Sequence, residues 1–222
     1  MTEHPYSRLP DERYWNRAMT RGGMHELDPM LDSPFRIDDS THVVTLGSCF
    51  AQHIAKHLQS VGTSYLVTEP GPAEMSASEK ARLQYGTFSA RYGNVYTVRQ
   101  ASQLLRRATG DLSSTQDLWT LGNGVVDPHR PTVEPEGFDS AEHLLNDRSK
   151  HLRAARDAFE KADVLIFTLG LTEGWCELES GLALPLAPGV HGGAFDSSRY
   201  VFTNATYEEC RRDLHDFLAG VR

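Results

Sequence analysis

One short stretch limits the folds open to this chain more than any other. Val43-Val44-Thr45-Leu46 sets four strand-forming residues in a row, the pattern of a strand buried on both faces, as parallel sheets use. Gly47 breaks it. Phe50, Ala51, Ile54, Ala55, Leu58 and Val61 then recur at the spacing of an amphipathic helix. Gln52, His53, Lys56, His57 and Gln59 fill the opposite face, and Gly62 stands where a left-handed cap belongs. Ser48 therefore lies in the turn between a buried strand and a helix.

A side chain at that place projects from the carboxyl end of a sheet, where open α/β folds bind their ligands. The helix start adds unpaired N–H groups and the positive end of a dipole, both suited to an alkoxide or an anion. Glycine before it lets the backbone turn tightly and a substrate approach. Ser48 is thus a candidate nucleophile. The alternative is that its hydroxyl merely caps the helix, as serines often do. Cys49, a thiol at the same helix start, is a second candidate nucleophile, ranked behind it.

A matching signal comes late in the chain. Asp139 and Glu142 open a long helix with a capping pair, lined by Leu144, Leu145, Leu152, Ala155, Phe159 and Ala162. Arg148, Lys150, Arg153, Arg156 and Lys161 sit among acids and are expected to be a solvated face. Val164-Leu165-Ile166-Phe167-Thr168-Leu169 follows as the strongest buried-strand signal. Strand, helix and strand imply parallel pairing by a right-handed crossover. The end of this second strand, Gly170-Leu171-Thr172-Glu173-Gly174-Trp175, then shares a rim with Ser48.

The other segments read as follows. Residues 1–40 are a proline-bearing polar arm over the domain, with a short helix around Asp11 to Met19 and Phe35 and Ile37 anchoring its end. Tyr65-Leu66-Val67-Thr68 is a short strand, and 69–90 are mostly loop. Thr97 and Gln100 cap a helix with Val98, Ala101, Leu104, Leu105 and Ala108 on its apolar face, ended by Gly110. Gly122-Asn123-Gly124 turns one hairpin and Ser180-Gly181 another. Residues 185–199 are a Gly/Pro-rich loop holding His191, and Thr206 and Glu209 cap a last helix. His129 is expected to be a solvated loop histidine. His53 and His57 have a metal-compatible spacing but no third ligand, so neither a metal nor a cofactor is expected.

Gly47-Ser48-Cys49-Phe50-Ala51 resembles the signature of the GSCFA family, within the SGNH/GDSL hydrolase superfamily. Pro5-Tyr6-Ser7-Arg8-Leu9-Pro10, Tyr92-Gly93-Asn94-Val95-Tyr96-Thr97 and Phe167-Thr168-Leu169-Gly170-Leu171-Thr172-Glu173 resemble further family blocks. The resemblance implies an α/β three-layer sandwich with a mainly parallel sheet, SGNH- or flavodoxin-like, with hairpin insertions over 41–222. It implies a serine esterase or acyltransferase acting on an O-acyl ester of a small molecule or carbohydrate. Gly93 and Asn94 match the two donor types that SGNH enzymes aim at an oxyanion. Gly170, Thr172 and Glu173 stand where those enzymes carry Gly-x-Asn-Asp, with threonine and glutamate replacing asparagine and aspartate. His191 is the best-placed base inside this chain; otherwise the base lies outside it. Family relatives continue past the last helix with another strand and a further histidine, so the domain is expected to be incomplete at its C-terminus. Asp39-Ser40-Thr41-His42 spells the Asp-x-x-His that closes many SGNH sequences, but it precedes the strand and is expected to be a turn on the far rim. The runner-up function is a non-catalytic carbohydrate- or anion-binding domain that keeps the rim and lacks the base.

Composition narrows the classes. The 222 residues suffice for one substantial domain, and the formal charge of −8 argues against non-specific binding to nucleic acid or anionic membrane. No apolar run reaches membrane-helix length. The start, Met1-Thr2-Glu3-His4, has no apolar signal core, so a cytoplasmic location is the default. Cys49, Cys176 and Cys210 are widely spaced and read as free thiols.

Overall fold

The computed structural model describes residues 4–22, 33–113 and 117–221. The chain divides into two units, Met1–Ile37 and Asp38–Arg222. In the first, a 3-10 turn at Asp11–Arg13 precedes helix α1 (Trp15–Gly22). Tyr14, extended between them, breaks the single helix expected there. Arg17 ties the two pieces, donating to Asp11 at 3.1 Å with its guanidinium 4.2 Å from the centre of the Tyr14 ring. Phe35, expected as an anchor, is exposed.

The second unit is a mixed α/β domain built on β1 (Val43–Leu46). All of β1 is buried, as its unbroken apolar run demands. It pairs in parallel with β4 (Val164–Phe167), Val43 opposite Val164 and Leu46 opposite Phe167. Between them in sequence run α2 (Cys49–Ser60), α3 (Ala77–Arg82), α4 (Val98–Thr109) and α5 (Ala141–Lys161). Leu46, Phe88, Tyr92, Leu104, Leu105 and Phe159 form the core with Phe217 of α6 (Tyr207–Gly220). Phe217 meets Phe159 and Phe167 edge-on, at ring-centre distances of 6.2 and 5.7 Å. Each such side chain contributes about 1.5–3 kcal/mol when fully buried. Two of the three expected capping pairs form, Thr97 with Gln100 and Thr206 with Glu209.

The parallel sheet is smaller than expected, with two strands, β1 and β4, among the described residues. Tyr65 makes a single parallel bridge to Val43 instead of opening a strand. The chain then leaves, because the Thr68 hydroxyl donates to the Ser89 and Ala154 carbonyls and Pro70 and Pro72 follow. Both hairpins form: β2 (Trp119–Leu121) with β3 (Gly124–Val126), and β5 (Glu173–Glu177) with β6 (Ala183–Leu184). A strand that the sequence reading missed, β7 (Tyr200–Asn204), pairs along the other side of β5. It was illegible because Val201 and Phe202 are exposed neighbours, which breaks the in-out alternation. Helix α3 also lies inside the stretch read as loop. No helix among the described residues is long and apolar enough to cross a membrane.

Two further corrections concern α5. Its cap is Ser140, which accepts from the His143 N–H at 3.2 Å, and not Asp139. Arg148 is buried rather than solvated, as is His151, since both fall on the Leu144–Ala155 stripe. They belong to an ionic layer beside the apolar core. Arg148 donates to Asp127 at 3.0 and 3.1 Å, Arg130 donates to Asp127 at 3.0 Å, and Arg130 also pairs with Asp147. Arg91, fully enclosed, spends all five donors on Leu83, Tyr85, Asp147, Val133 and Glu134. Glu69 accepts from the Arg91 N–H at 2.7 Å and sits 2.9 Å from His151 Nδ1.

Burial alone would raise the Glu69 carboxyl. The His151 hydrogen bond, the Arg130 charge and the Arg91 N–H outweigh it and hold the group at about 2. Burial, then the Arg130 charge, lower His151. Both groups bind more protons unfolded than folded as pH drops, so both make the fold acid-sensitive. Stability should be full near neutrality and begin to fall below about 6.5 as unfolded histidine charges. It should fall more steeply as pH drops from about 4.5 towards 2, by on the order of 3 kcal/mol from Glu69. Urea unfolding across that range checks this, with Glu69→Gln expected to flatten the lower limb.

Candidate functional site

The carboxyl end of β1 closes on Gly47. Its φ is +144°, outside the range of side-chain-bearing residues. A Cβ there would lie far inside contact distance of Thr168 Oγ1, just past β4, and 3.0 Å from the Ala51 Cβ. Glycine is thus required by backbone and by neighbours alike. Ser48 comes next, at the N-cap position of α2, and its side chain makes no cap hydrogen bond. The hydroxyl is half-buried and is not consumed by the helix it precedes. The capping explanation of this serine therefore fails on geometry.

Two other segments are stitched to the same spot. The Val95 N–H donates to the Gly47 carbonyl at 2.8 Å, and the Leu171 N–H donates to the Tyr96 carbonyl at 3.0 Å. One turn into α2, Gln52 donates to Asn94 Oδ1 at 3.1 Å, and Asn94 Nδ2 donates to the Tyr96 hydroxyl at 3.1 Å. Gly93, with φ +68°, lets the chain enter this turn. A Cβ on Gly170 would stand 4.0 Å from Ser48 Oγ, so glycine leaves that approach open. The N–H groups of Ser48 and Gly93 find no acceptor among the described residues. Ser48, Gly93-Asn94 and Gly170, separated widely in sequence, are thus brought together at one end of the parallel pair. Phe50, two residues after Ser48, and Leu169 and Leu171, on either side of Gly170, are exposed apolar residues.

The model of the GSCFA family matches residues 42–222. The chain belongs to the GSCFA family. No curated protein and no solved structure matches it.

In this GSCFA chain the remaining expected site residues stand elsewhere. The Thr172 hydroxyl donates to Asn204 of β7 at 2.7 Å and lines a separate cleft of ≈ 20 Å³ with Thr97, Arg99 and Trp175. Glu173 opens β5, exposed, opposite Asn204. Trp175 packs edge-on with Phe195 and Phe202, at 5.5 and 5.8 Å between ring centres, as a small aromatic cluster. His191 is in the loop pressed against the β2–β3 hairpin, where the Gly193 N–H donates to the Thr120 carbonyl at 2.9 Å. Its Nε2 is sealed and unbonded, and it makes no hydrogen bond to Ser48. His42 sits at the amino end of β1, held to Asp163 at 2.8 and 3.2 Å, so Asp39–His42 is the far-rim turn expected of it. His53 and His57 are exposed, and no group of metal-ligating residues occurs among the described residues. Cys49 is an exposed free thiol.

The buried arginines are not legible as such in the sequence. His129 is not a solvated histidine: burial, then the Arg107 charge, push it well below the usual imidazole range. His129 is half-buried, between Asp127 and Arg130, which are both buried. The legible signal was Arg148, four residues after Leu144 and seven before Ala155, on a buried stripe.

Gly47→Ala should destabilise the fold by at least about 2 kcal/mol, through a left-handed backbone and a steric clash together. Chemical denaturation checks it. Gly62→Ala, where a Cβ meets nothing within 4 Å, should cost about 1 kcal/mol or less.

Proposed function

We propose that this chain is an SGNH-like serine esterase or acyltransferase acting on an O-acyl ester, with an acylated carbohydrate as the candidate substrate. One observation carries the reading: the Ser48 hydroxyl stands at the end of β1 free of the helix cap, with Gly170 close to its oxygen and the Gly93–Tyr96 turn hydrogen-bonded to Gly47 beside it. In this reading Ser48 Oγ attacks the acyl carbon, and the carbonyl oxygen takes negative charge facing the N–H groups of Ser48 and Gly93 and the Asn94 amide. The acyl group lies along Phe50, Leu169 and Leu171. The α2 dipole adds to the stabilisation. The proton leaving Ser48 goes to a base, for which His191 would have to swing out with its loop. The superfamily placement, with its three-layer sandwich, belongs to this proposal.

A second reading is favoured by His191 standing against the β2–β3 hairpin. A site that retains its rim and lacks a base would bind a carbohydrate or an anion without turnover. A fluorophosphonate probe separates the two. The esterase reading expects labelling of the wild-type chain that disappears in Ser48→Ala, with hydrolysis of p-nitrophenyl acetate falling on the order of a thousandfold. Labelling that survives the substitution removes Ser48 from its role. Sugar binding without turnover, unchanged in Ser48→Ala, supports the second reading.

A further inference from the structure

A small cavity of ≈ 20 Å³ lies behind the Gly93-Asn94 turn, among α4, α5 and the chain after β3, with Asn94 in its wall. Three guanidinium groups line it, from Arg107, Arg130 and Arg148, against one carboxylate, Asp127. That carboxylate is already taken, by Arg130 at 3.0 Å and by Arg148 at 3.0 and 3.1 Å. The acids lying further back are also engaged: Asp147 by Arg91 and Arg130, Glu134 by Arg91, and Glu69 by His151. None of these carboxylates is left to pair with Arg107.

Two of its donors point at nothing in the protein. Arg130 has a side chain only 2% exposed, and its Nη1 is sealed and without a hydrogen bond. Arg107 Nε is likewise sealed and unbonded, and no carboxylate pairs with Arg107 among the described residues. Gln103 and Arg107 are themselves partly exposed, which leaves a way in from solvent. Burial lowers Arg107 to about 10, so it still carries its charge at neutral pH. A sealed N–H left without an acceptor is costly to keep. Arginine has no neutral form to retreat to, so these two N–H donors call for an acceptor from outside the protein. The cavity exceeds the ~10–15 Å³ that one water-sized group requires.

We infer that this cavity is a binding site for a small oxyanion, a carboxylate or phosphate group, which accepts hydrogen bonds donated by Arg107 Nε and Arg130 Nη1. Planar forked donors suit either group. The site does not depend on nucleophilic chemistry at Ser48. It shares Asn94 with the proposed oxyanion pocket, so an occupant here stands directly behind that turn.

Thermal unfolding of the full chain, titrated with sodium phosphate and with sodium acetate at ionic strength held constant by chloride, tests the inference. A saturable rise in Tm with either ion is expected; phosphate alone marks a tetrahedral site, acetate alone a planar one. Arg107→Gln should weaken that ion at least tenfold, yet melt no lower than the wild type without it. The idea is overturned if neither ion shifts Tm saturably, which would leave water in the cavity, or if Arg107→Gln keeps the full shift. Should that variant fail to fold, bromide-soaked crystals of the wild-type chain decide. An anomalous peak between Arg107 and Arg130 supports the site, and an empty cavity refutes it. Labelling of Ser48 by the fluorophosphonate is scored separately, so failure of one idea leaves the other standing.

Discussion

The register between β1 and β4 is the constraint from which the rest follows. Because the two strands run the same way with Leu46 opposite Phe167, their carboxyl ends finish side by side. Gly47 and Thr168 then touch, and nothing larger than glycine fits. With the strand ends level, the Gly93–Tyr96 turn can hydrogen-bond to both, through Val95 to Gly47 and through Tyr96 to Leu171. Ser48 is held by main-chain geometry rather than by its own side chain. A hydroxyl fixed this way is free for a ligand, whereas one fixed by capping is not.

Much of this was legible in the residues. The unbroken run Val43–Leu46 and the run from Val164 betray strands buried on both faces, and the long helix between them forces a parallel crossover. Capping pairs at Thr97 and Thr206 mark helix starts because the hydrogen bonds involved are local, though the same pattern at Asp139 falls one residue before the true cap, Ser140. Hairpins announced by Gly122-Asn123 and Ser180-Gly181 are local too. The nearness of Ser48, Asn94 and Gly170 was readable from family resemblance and topology together.

What was hidden is non-local. Whether Tyr65–Thr68 makes a strand depends on Thr68 finding the carbonyl of Ala154, 86 residues away. Whether Arg148 faces water depends on Asp127 arriving from another loop. Propensity and periodicity score a charged residue as exposed, and only the partner reverses that. The place of His191 is set in the same manner, by the hairpin beneath its loop.

The carboxylates of the ionic layer are shared. Asp127 serves Arg130 and Arg148, and Asp147 serves Arg91 and Arg130. Energies in such a lattice do not add: removing one member changes what every other is worth. A single substitution strands a charge, whereas a matched pair of changes can leave none. The layer should therefore drift through evolution as a block, its cations and anions lost or exchanged in company, while the apolar core beside it is free to vary one residue at a time.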